Sequence, residues 1–146
     1  MKVVIGSDHA GYLMKENLKE HLLSKDIEVV DLGATSEESV DYPKFGKEVG
    51  EAVMTNDYDF GLVVCGTGIG ISIAANKVKG VRAALVHDVE TARLAKEHNN
   101  ANVLAIGGRN TDFDLAKDMI DSFIDAKFEE RHARRLNLIT DIEADK

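Results

Sequence analysis

The sequence predicts an α/β fold: a Rossmann-like, doubly wound parallel sheet of five strands with helices on both faces, followed by a C-terminal helix. Two observations carry this expectation. Short, nearly continuous apolar runs alternate along the chain with amphipathic stretches, as strands buried on both faces alternate with the helices that cover them. In addition, the apolar run Gly61-Leu62-Val63-Val64 leads through Cys65-Gly66-Thr67-Gly68-Ile69-Gly70-Ile71-Ser72 into Ile73-Ala74-Ala75-Asn76-Lys77, a strand, a glycine loop and a helix. Alternating glycines let the backbone adopt positive φ and approach a ligand closely, and a helix N-terminus behind them gathers free N–H groups at a point suited to an anion.

In chain order, Lys2-Val3-Val4-Ile5-Gly6 reads as a buried strand, and Ser7-Asp8-His9-Ala10-Gly11 as the turn into a helix reaching about Ser24, with Met14, Leu18 and Leu22 at helical spacing. Ile27 to Leu32 forms a second strand. Gly33 to Tyr42 is a polar loop, and Pro43, with its fixed φ, suits the start of a helix to about Thr55. Gly61 to Cys65 is the third strand, Val81 to Val86 the fourth, Val89 to Asn99 a helix, and Val103 to Ile106 a fifth strand ending in Gly107-Gly108. Two helices close the chain, over Asp112 to Ala126 and Phe128 to Ile142.

A length of 146 residues with 44% hydrophobic content suits one domain spanning 1–146 and is short for a dinucleotide domain plus a substrate domain. The net charge of -8 argues against general nucleic-acid binding, so a small anionic ligand would need a local basic cluster. A single cysteine, no apolar N-terminal leader and no run of about 18 apolar residues suit a cytoplasmic protein free of membranes.

Ligands of such sheets bind outside the carboxyl ends of the strands, which directs attention to Asp8, His9, Cys65 to Thr67, His87, Asp88 and Arg109. Each has an ordinary reading beside a chemical one. Asp8 suits a helix N-cap. Cys65 suits a small buried apolar side chain, yet a thiol at a helix N-terminus is biased toward thiolate, with the Thr67 hydroxyl in reach. His98, in Glu97-His98-Asn99-Asn100, either complements a helix dipole or belongs to a polar site. Arg131 and Arg135 in Arg131-His132-Ala133-Arg134-Arg135 would share one face of a helix, reaching one phosphate or pairing with Glu129 and Glu130. Leu138, Ile139 and Ile142 form an apolar stripe that packs on the body or on another subunit.

The five histidines show neither a zinc spacing nor a His-Glu-x-x-His helix, so neither a metal nor any other cofactor is expected. The glycine loop is not a P-loop, and Ile71 stands where a dinucleotide fingerprint needs its third glycine. Asp88, about 20 residues on, keeps a nucleotide-binding module as the competing reading, since a ribose-binding acid would stand there.

With these residues in order, the chain resembles the ribose-5-phosphate isomerase type B family, within the wider group that contains the galactose-6-phosphate isomerase subunits. The resemblance runs end to end through Gly6-Ser7-Asp8-His9-Ala10-Gly11, Asp41-Tyr42-Pro43, the whole stretch Cys65 to Lys77, His98-Asn99-Asn100-Ala101-Asn102-Val103-Leu104, and Arg131-His132 with Arg135. It implies a metal-independent aldose–ketose isomerase acting on ribose 5-phosphate, or on galactose 6-phosphate or allose 6-phosphate. Asp8 and His98 would assist ring opening, with His98 as acid, and Cys65 would be the base, with Thr67 beside it. Backbone N–H groups of Gly66, Gly68, Ile69 and Gly70 would hold the enediolate oxygen, and Asn99 the substrate hydroxyls. His9, Arg109, Arg131 and Arg135 would clamp the phosphate. It also implies homodimers whose sites combine residues of both subunits, with room for a tetramer.

Overall fold

In a computed structural model, which describes residues 1–145, the chain runs β1 (Lys2–Ser7), α1 (Tyr12–Ser24), β2 (Glu28–Asp31), α2 (Tyr42–Val53), β3 (Phe60–Cys65), α3 (Ile69–Asn76), β4 (Ala83–Leu85), α4 (Val89–Glu97), β5 (Val103–Gly107) and α5 (Phe113–Asp125). A 3₁₀ turn at Glu130–His132 then leads into α6 (Ala133–Ala144). All strand pairs are parallel, in the order β2-β1-β3-β5-β4.

Strand alternation divides the core in two. Val3, Ile5, Leu62, Val64, Leu104 and Ile106 face α1, α4 and α5, where Met14, Leu18, Leu22, Ala92, Met119, Ile120 and Phe123 meet them. Val4, Val63, Cys65, Val103 and Ala105 face α2 and α3, against Phe45, Val49, Val53, Ile71 and Ala75. Helices therefore cover both faces, as the near-continuous apolar strands require. Winding reverses between β1 and β3, so the crevice at their carboxyl ends is the topological switch point.

Two expectations need correction. The helix expected over Phe128 to Ile142 begins only at Ala133, because the Glu129 N–H donates to the Glu97 carbonyl at 2.9 Å and holds the approach to it as an irregular strap. Arg131 accordingly lies in the 3₁₀ turn rather than on a helix with Arg135. The fourth strand is shorter than expected, since the Arg82 N–H turns to Asn102 Oδ1 at 2.7 Å and regular pairing starts at Ala83.

One buried charge fixes the loop beside the switch point. Lys15 on α1 is 1% exposed, and its Nζ lies 2.6 Å from Asp31 Oδ2 at the end of β2 and 2.9 Å from Glu16. Lys19 reaches the same Asp31 oxygen at 3.2 Å, and the Gly33 N–H donates to Asp31 Oδ1 at 2.8 Å. The Ala34 N–H then donates to the Ser7 carbonyl at 2.6 Å, next to Asp8. Burial works to raise the Asp31 pKa, but hydrogen bonds from Lys15, Gly33 and Lys19 and the Lys15 charge together hold it below the usual carboxylate value.

Asp31→Asn should destabilise the fold by about 3 kcal/mol in denaturant titration, the low end for breaking a buried pair because Glu16 remains. The native pKa lies below the unfolded one, so this contribution is present above about pH 4 and is lost as pH falls through the native value. The variant's stability should therefore change less than the wild type's over that acid range.

Candidate active site

Three loops meet at the carboxyl ends of β1, β3 and β5, and backbone hydrogen bonds tie them together. The Asp8 N–H donates to the Val64 carbonyl at 3.2 Å, the Gly108 N–H to Cys65 at 2.8 Å, and the Arg109 N–H to Gly66 at 2.9 Å. Between them lies an open cleft of about 430 Å³ lined by Asp8, His9, Tyr42, Cys65, Gly66, Thr67, Ile69, Gly70 and Arg109. Roomier hollows of 500 Å³ beside α1 and 600 Å³ between α2 and α3 are flanked mainly by lysines, glutamates and aliphatic groups, without this convergence of thiol, hydroxyl and amides.

Each lining group is held by its neighbours. Asp8 is buried and is not the N-cap of α1; that position belongs to Gly11, whose N–H donates to Asp8 Oδ1 at 3.0 Å. One carboxylate oxygen is thereby fixed and the other left over. His9 Nδ1 lies 3.1 Å from both backbone polar atoms of Val40, which leaves Nε2 for a ligand. Cys65 ends β3 almost fully buried, and the aliphatic stem of Arg109 runs over Gly66.

The glycine loop is tighter than its spacing alone suggests. Gly68 is the N-cap of α3 with φ of +79°, and a Cβ there would sit 2.6 Å from Leu85 Cδ1 and 2.9 Å from the Ile106 backbone. Gly70 lies inside the first turn of α3, so the loop proper is only Gly66-Thr67-Gly68. The Ile69 N–H donates to Thr67 Oγ1 at 3.2 Å, leaving the Thr67 hydroxyl hydrogen free to turn toward the cleft. The next amides of the turn, Gly70 and Ile71, have no intrahelical acceptor, as in any first helical turn. Tyr42, absent from the expected site residues, packs its ring where a Gly70 Cβ would stand, 2.5 Å from that position. Its sequence signal was its place beside Pro43 at a helix start.

The remaining expected residues lie elsewhere. Asn99 and Asn100 accept from the Arg82 guanidinium, and the Gly61 N–H donates to the Asn102 carbonyl at 2.9 Å, so this segment borders the amino ends of β3 and β4. His98, the C-cap of α4, is on the same edge, and the Glu129 to Glu97 bond brings Arg131 there too. A six-residue strand such as β3 spans roughly 20 Å, and within one chain Cys65 stands at its carboxyl end while the segment after His98 borders its amino end. Arg131 donates to Glu129 at 2.8 Å, while Arg135 is exposed on α6.

At this edge His98 and His132 stack with ring centroids 4.4 Å apart, and Glu129 Oε1 is 3.8 Å from His98 Nε2 and 3.7 Å from His132 Nε2. Burial, then the charges of Arg131, His98 and Arg135, hold the His132 pKa below its ordinary value against the opposing pull of Glu129. Sequence spacing gave no sign of this grouping, which the strap assembles.

Asp88 is not a free ribose-binding acid. It is the N-cap of α4, accepting from the Thr91 N–H at 2.7 Å in a reciprocal capping box that lowers its pKa. No helix among the described residues is long and apolar enough to cross a membrane.

The family described as Ribose/Galactose Isomerase matches residues 3–139. The chain belongs to this family. Among its relatives, ribose-5-phosphate isomerase B of Escherichia coli is 42% identical over 143 residues, covering 97% of this chain and 96% of the relative. Galactose-6-phosphate isomerase subunit LacB of Clostridium acetobutylicum is 49% identical over 128 residues, covering 88% of this chain and 74% of that protein. The solved structure of Clostridium thermocellum ribose-5-phosphate isomerase B superposes with a TM-score of 0.97 at 49% identity, covering 99% of each chain. This Ribose/Galactose Isomerase family member therefore shares both sequence and fold with sugar-phosphate isomerases along nearly its whole length.

Gly70→Ala should test the packing of Tyr42 on α3. The added methyl displaces the ring while alanine favours the helix by up to about 1 kcal/mol. Thermal melting should show stability kept or raised, and turnover of a sugar phosphate should fall at least ~10-fold, because displacement on the order of 1 Å in a reacting site costs that much or more.

Proposed function

We propose that this sugar-phosphate isomerase interconverts ribose 5-phosphate and ribulose 5-phosphate through an enediolate, in sites that two copies of the chain build together. The observation that carries the reading is Cys65 at the mouth of β3, one residue before a loop whose amides and helix N-terminus are arranged for an anion. A proton-transfer group beside such a site is what isomerisation through an oxyanion requires.

In this reading, Asp8 takes the anomeric hydroxyl proton and His98 gives a proton to the ring oxygen, which opens the sugar. Cys65, as thiolate, removes the proton from C2, and negative charge develops on the carbonyl oxygen at C1. Amides of the Gly66 to Gly70 segment hold that oxygen; because the charge appears only on the way to the enediolate, they favour the transition state over the bound aldose. The C2 hydroxyl proton passes to the C1 oxygen and the Cys65 thiol returns its proton to C1, which leaves the carbonyl at C2 and completes the ketose with no net redox requirement. Thr67 supports the thiolate, Asn99 orients the sugar, and His9, Arg109, Arg131 and Arg135 hold the phosphate.

Two copies are part of the proposal because His98, Asn99, Arg131 and Arg135 lie at the other end of the sheet. A twofold pairing places that edge of one copy over the cleft of the other, twice. Apolar groups suit the contact: Ile69 and Ile73 are exposed beside the cleft, and Leu138, Ile139 and Ile142 are exposed on α6, which buries no residue in its own chain.

The LacB relative, 49% identical, favours a second reading in which a six-carbon aldose phosphate is the substrate. Turnover of ribose 5-phosphate, galactose 6-phosphate and allose 6-phosphate with chelator present separates the two. Ribose 5-phosphate is expected to react fastest; turnover of six-carbon phosphates alone would move the assignment, and turnover of none would overturn both. Cys65→Ala should lower kcat by at least ~10³-fold with the fold intact, within the range for loss of a general base. Arg131→Ala should raise KM more than it lowers kcat, as expected where phosphate is gripped alike in ground and transition states.

A further inference from the structure

We infer that His98, Glu129 and His132 form a binding site for a transition-metal ion of the zinc class, and that an ion held there withdraws His98 from isomerisation. The first half stands on geometry alone; the second rests on the role proposed above for His98.

One donor atom from each of the three residues lies within 4.8 Å of the other two, with Glu129 Oε1 3.8 Å from His98 Nε2 and 3.7 Å from His132 Nε2. Two imidazole nitrogens and a carboxylate oxygen are a donor set that zinc accepts while keeping a fourth position for water. Bonds of about 2.0–2.1 Å place tetrahedral donors about 3.4 Å apart, so the two edges at Glu129 need to close by about 0.4 Å and the edge between the two histidines by up to about 1.4 Å. His98 and Glu129 are each 38% exposed, at a helix end and in the strap, where side chains have room for that movement. Nitrogen and carboxylate donors together favour Zn²⁺, Co²⁺, Ni²⁺ and Cu²⁺ over the oxygen-seeking Mg²⁺ and Ca²⁺.

An independent feature points the same way. The His132 side chain is 7% exposed, and its Nε2 makes no hydrogen bond among the described residues. A buried polar atom without a partner is costly, and this one lies beside the other two donors. A metal ion would satisfy it.

Arg131 opposes occupancy, since its Nη2 donates to the same Glu129 Oε1 at 2.8 Å, and the Arg135 charge is felt at His132. An ion must displace Arg131 from that oxygen or take the other one. The site is therefore suited to reversible occupancy rather than to permanent structural metal. When His98 Nε2 is a ligand its lone pair is committed and it carries no proton there, so it cannot act as the ring-opening acid. Displacing Arg131 from Glu129 disturbs a phosphate ligand as well.

The test uses the tag-free full chain carrying Cys65→Ala, so that no thiol contributes, titrated with Co²⁺ and followed by visible absorption. Binding of one Co²⁺ per chain is expected, with a low-coordinate d–d band that Zn²⁺ abolishes and Mg²⁺ does not. His132→Gln, and the more exposed Glu129→Gln in case the first fails to fold, should each weaken binding at least ~10-fold, the least that changes even around first ligands cause. No stoichiometric binding, or affinity unchanged in folded Glu129→Gln, would overturn the site. With Cys65 restored, Zn²⁺ should inhibit turnover reversibly, with the inhibition reduced in Glu129→Gln. Turnover that persists at Zn²⁺ concentrations filling the site would overturn the withdrawal of His98 while leaving the metal site standing. Absence of any sugar-phosphate turnover would instead count against the isomerase reading and leave the Co²⁺ result untouched.

Discussion

A parallel sheet sends the residues after each strand to one of its edges and the residues after each helix to the other. Every strand delivers the chain to the carboxyl edge, and every covering helix carries it back to the amino edge, roughly 20 Å away for strands of this length. In this chain the constraint sorts the chemical residues into two groups. Asp8, His9, Cys65, Thr67 and Arg109 come at or just after strand ends and share one cleft. His98 and Asn99 come after α4, and Arg131 after α5 through the strap, so they gather at the other edge. Neither group holds all the residues that the proposed reaction uses, and the proposed pairing of two copies is the simplest way to bring them together twice.

Within the cleft, precision comes from the backbone. The Asp8, Gly108 and Arg109 amides each bond to the β3 end or the residue after it, so three loops are tied to the strand that ends in Cys65. Gly68 is needed both for its φ of +79° and because Leu85 and the Ile106 backbone fill the space a side chain would take. Farther out, the buried Lys15–Asp31 pair ties α1 to the turn at Gly33, and that turn bonds Ser7 beside Asp8. The proposed acid–base chemistry would gain from such rigidity, since groups that need not reorganise during reaction stabilise charge more effectively.

Much of this was legible in the residues. Apolar runs marked every strand to within about two residues, most clearly β1, β3 and β5, which are buried on both faces and carry few polar side chains. The switch-point rule pointed to Asp8, His9, Cys65 to Thr67 and Arg109, which line the cleft, and also to His87 and Asp88, which do not. What was not legible depended on contacts distant in sequence. The bond from Glu129 to Glu97 overrides helical spacing, puts Arg131 in a 3₁₀ turn and brings His132 against His98. No short-range pattern encodes that contact. Asp88 differs in kind: an Asp three residues before Thr91 is itself a local capping signature, and the capping box it forms occupies the acid that the competing ribose-binding reading needs. Tyr42 stood inside a motif, but only the packed structure puts its ring on Gly70.

If each site takes its thiol from one copy and its histidine from another, mixing two inactive variants should restore activity. Cys65→Ala and His98→Asn chains would be purified separately, shown to be inactive on ribose 5-phosphate, then mixed, dissociated and allowed to reassociate. Random twofold pairing makes half the dimers mixed, each with one intact site, so activity should return to about a quarter of the wild-type level. Activity that stays at the level of the separate variants, with mixed dimers shown to have formed, would contradict the shared site.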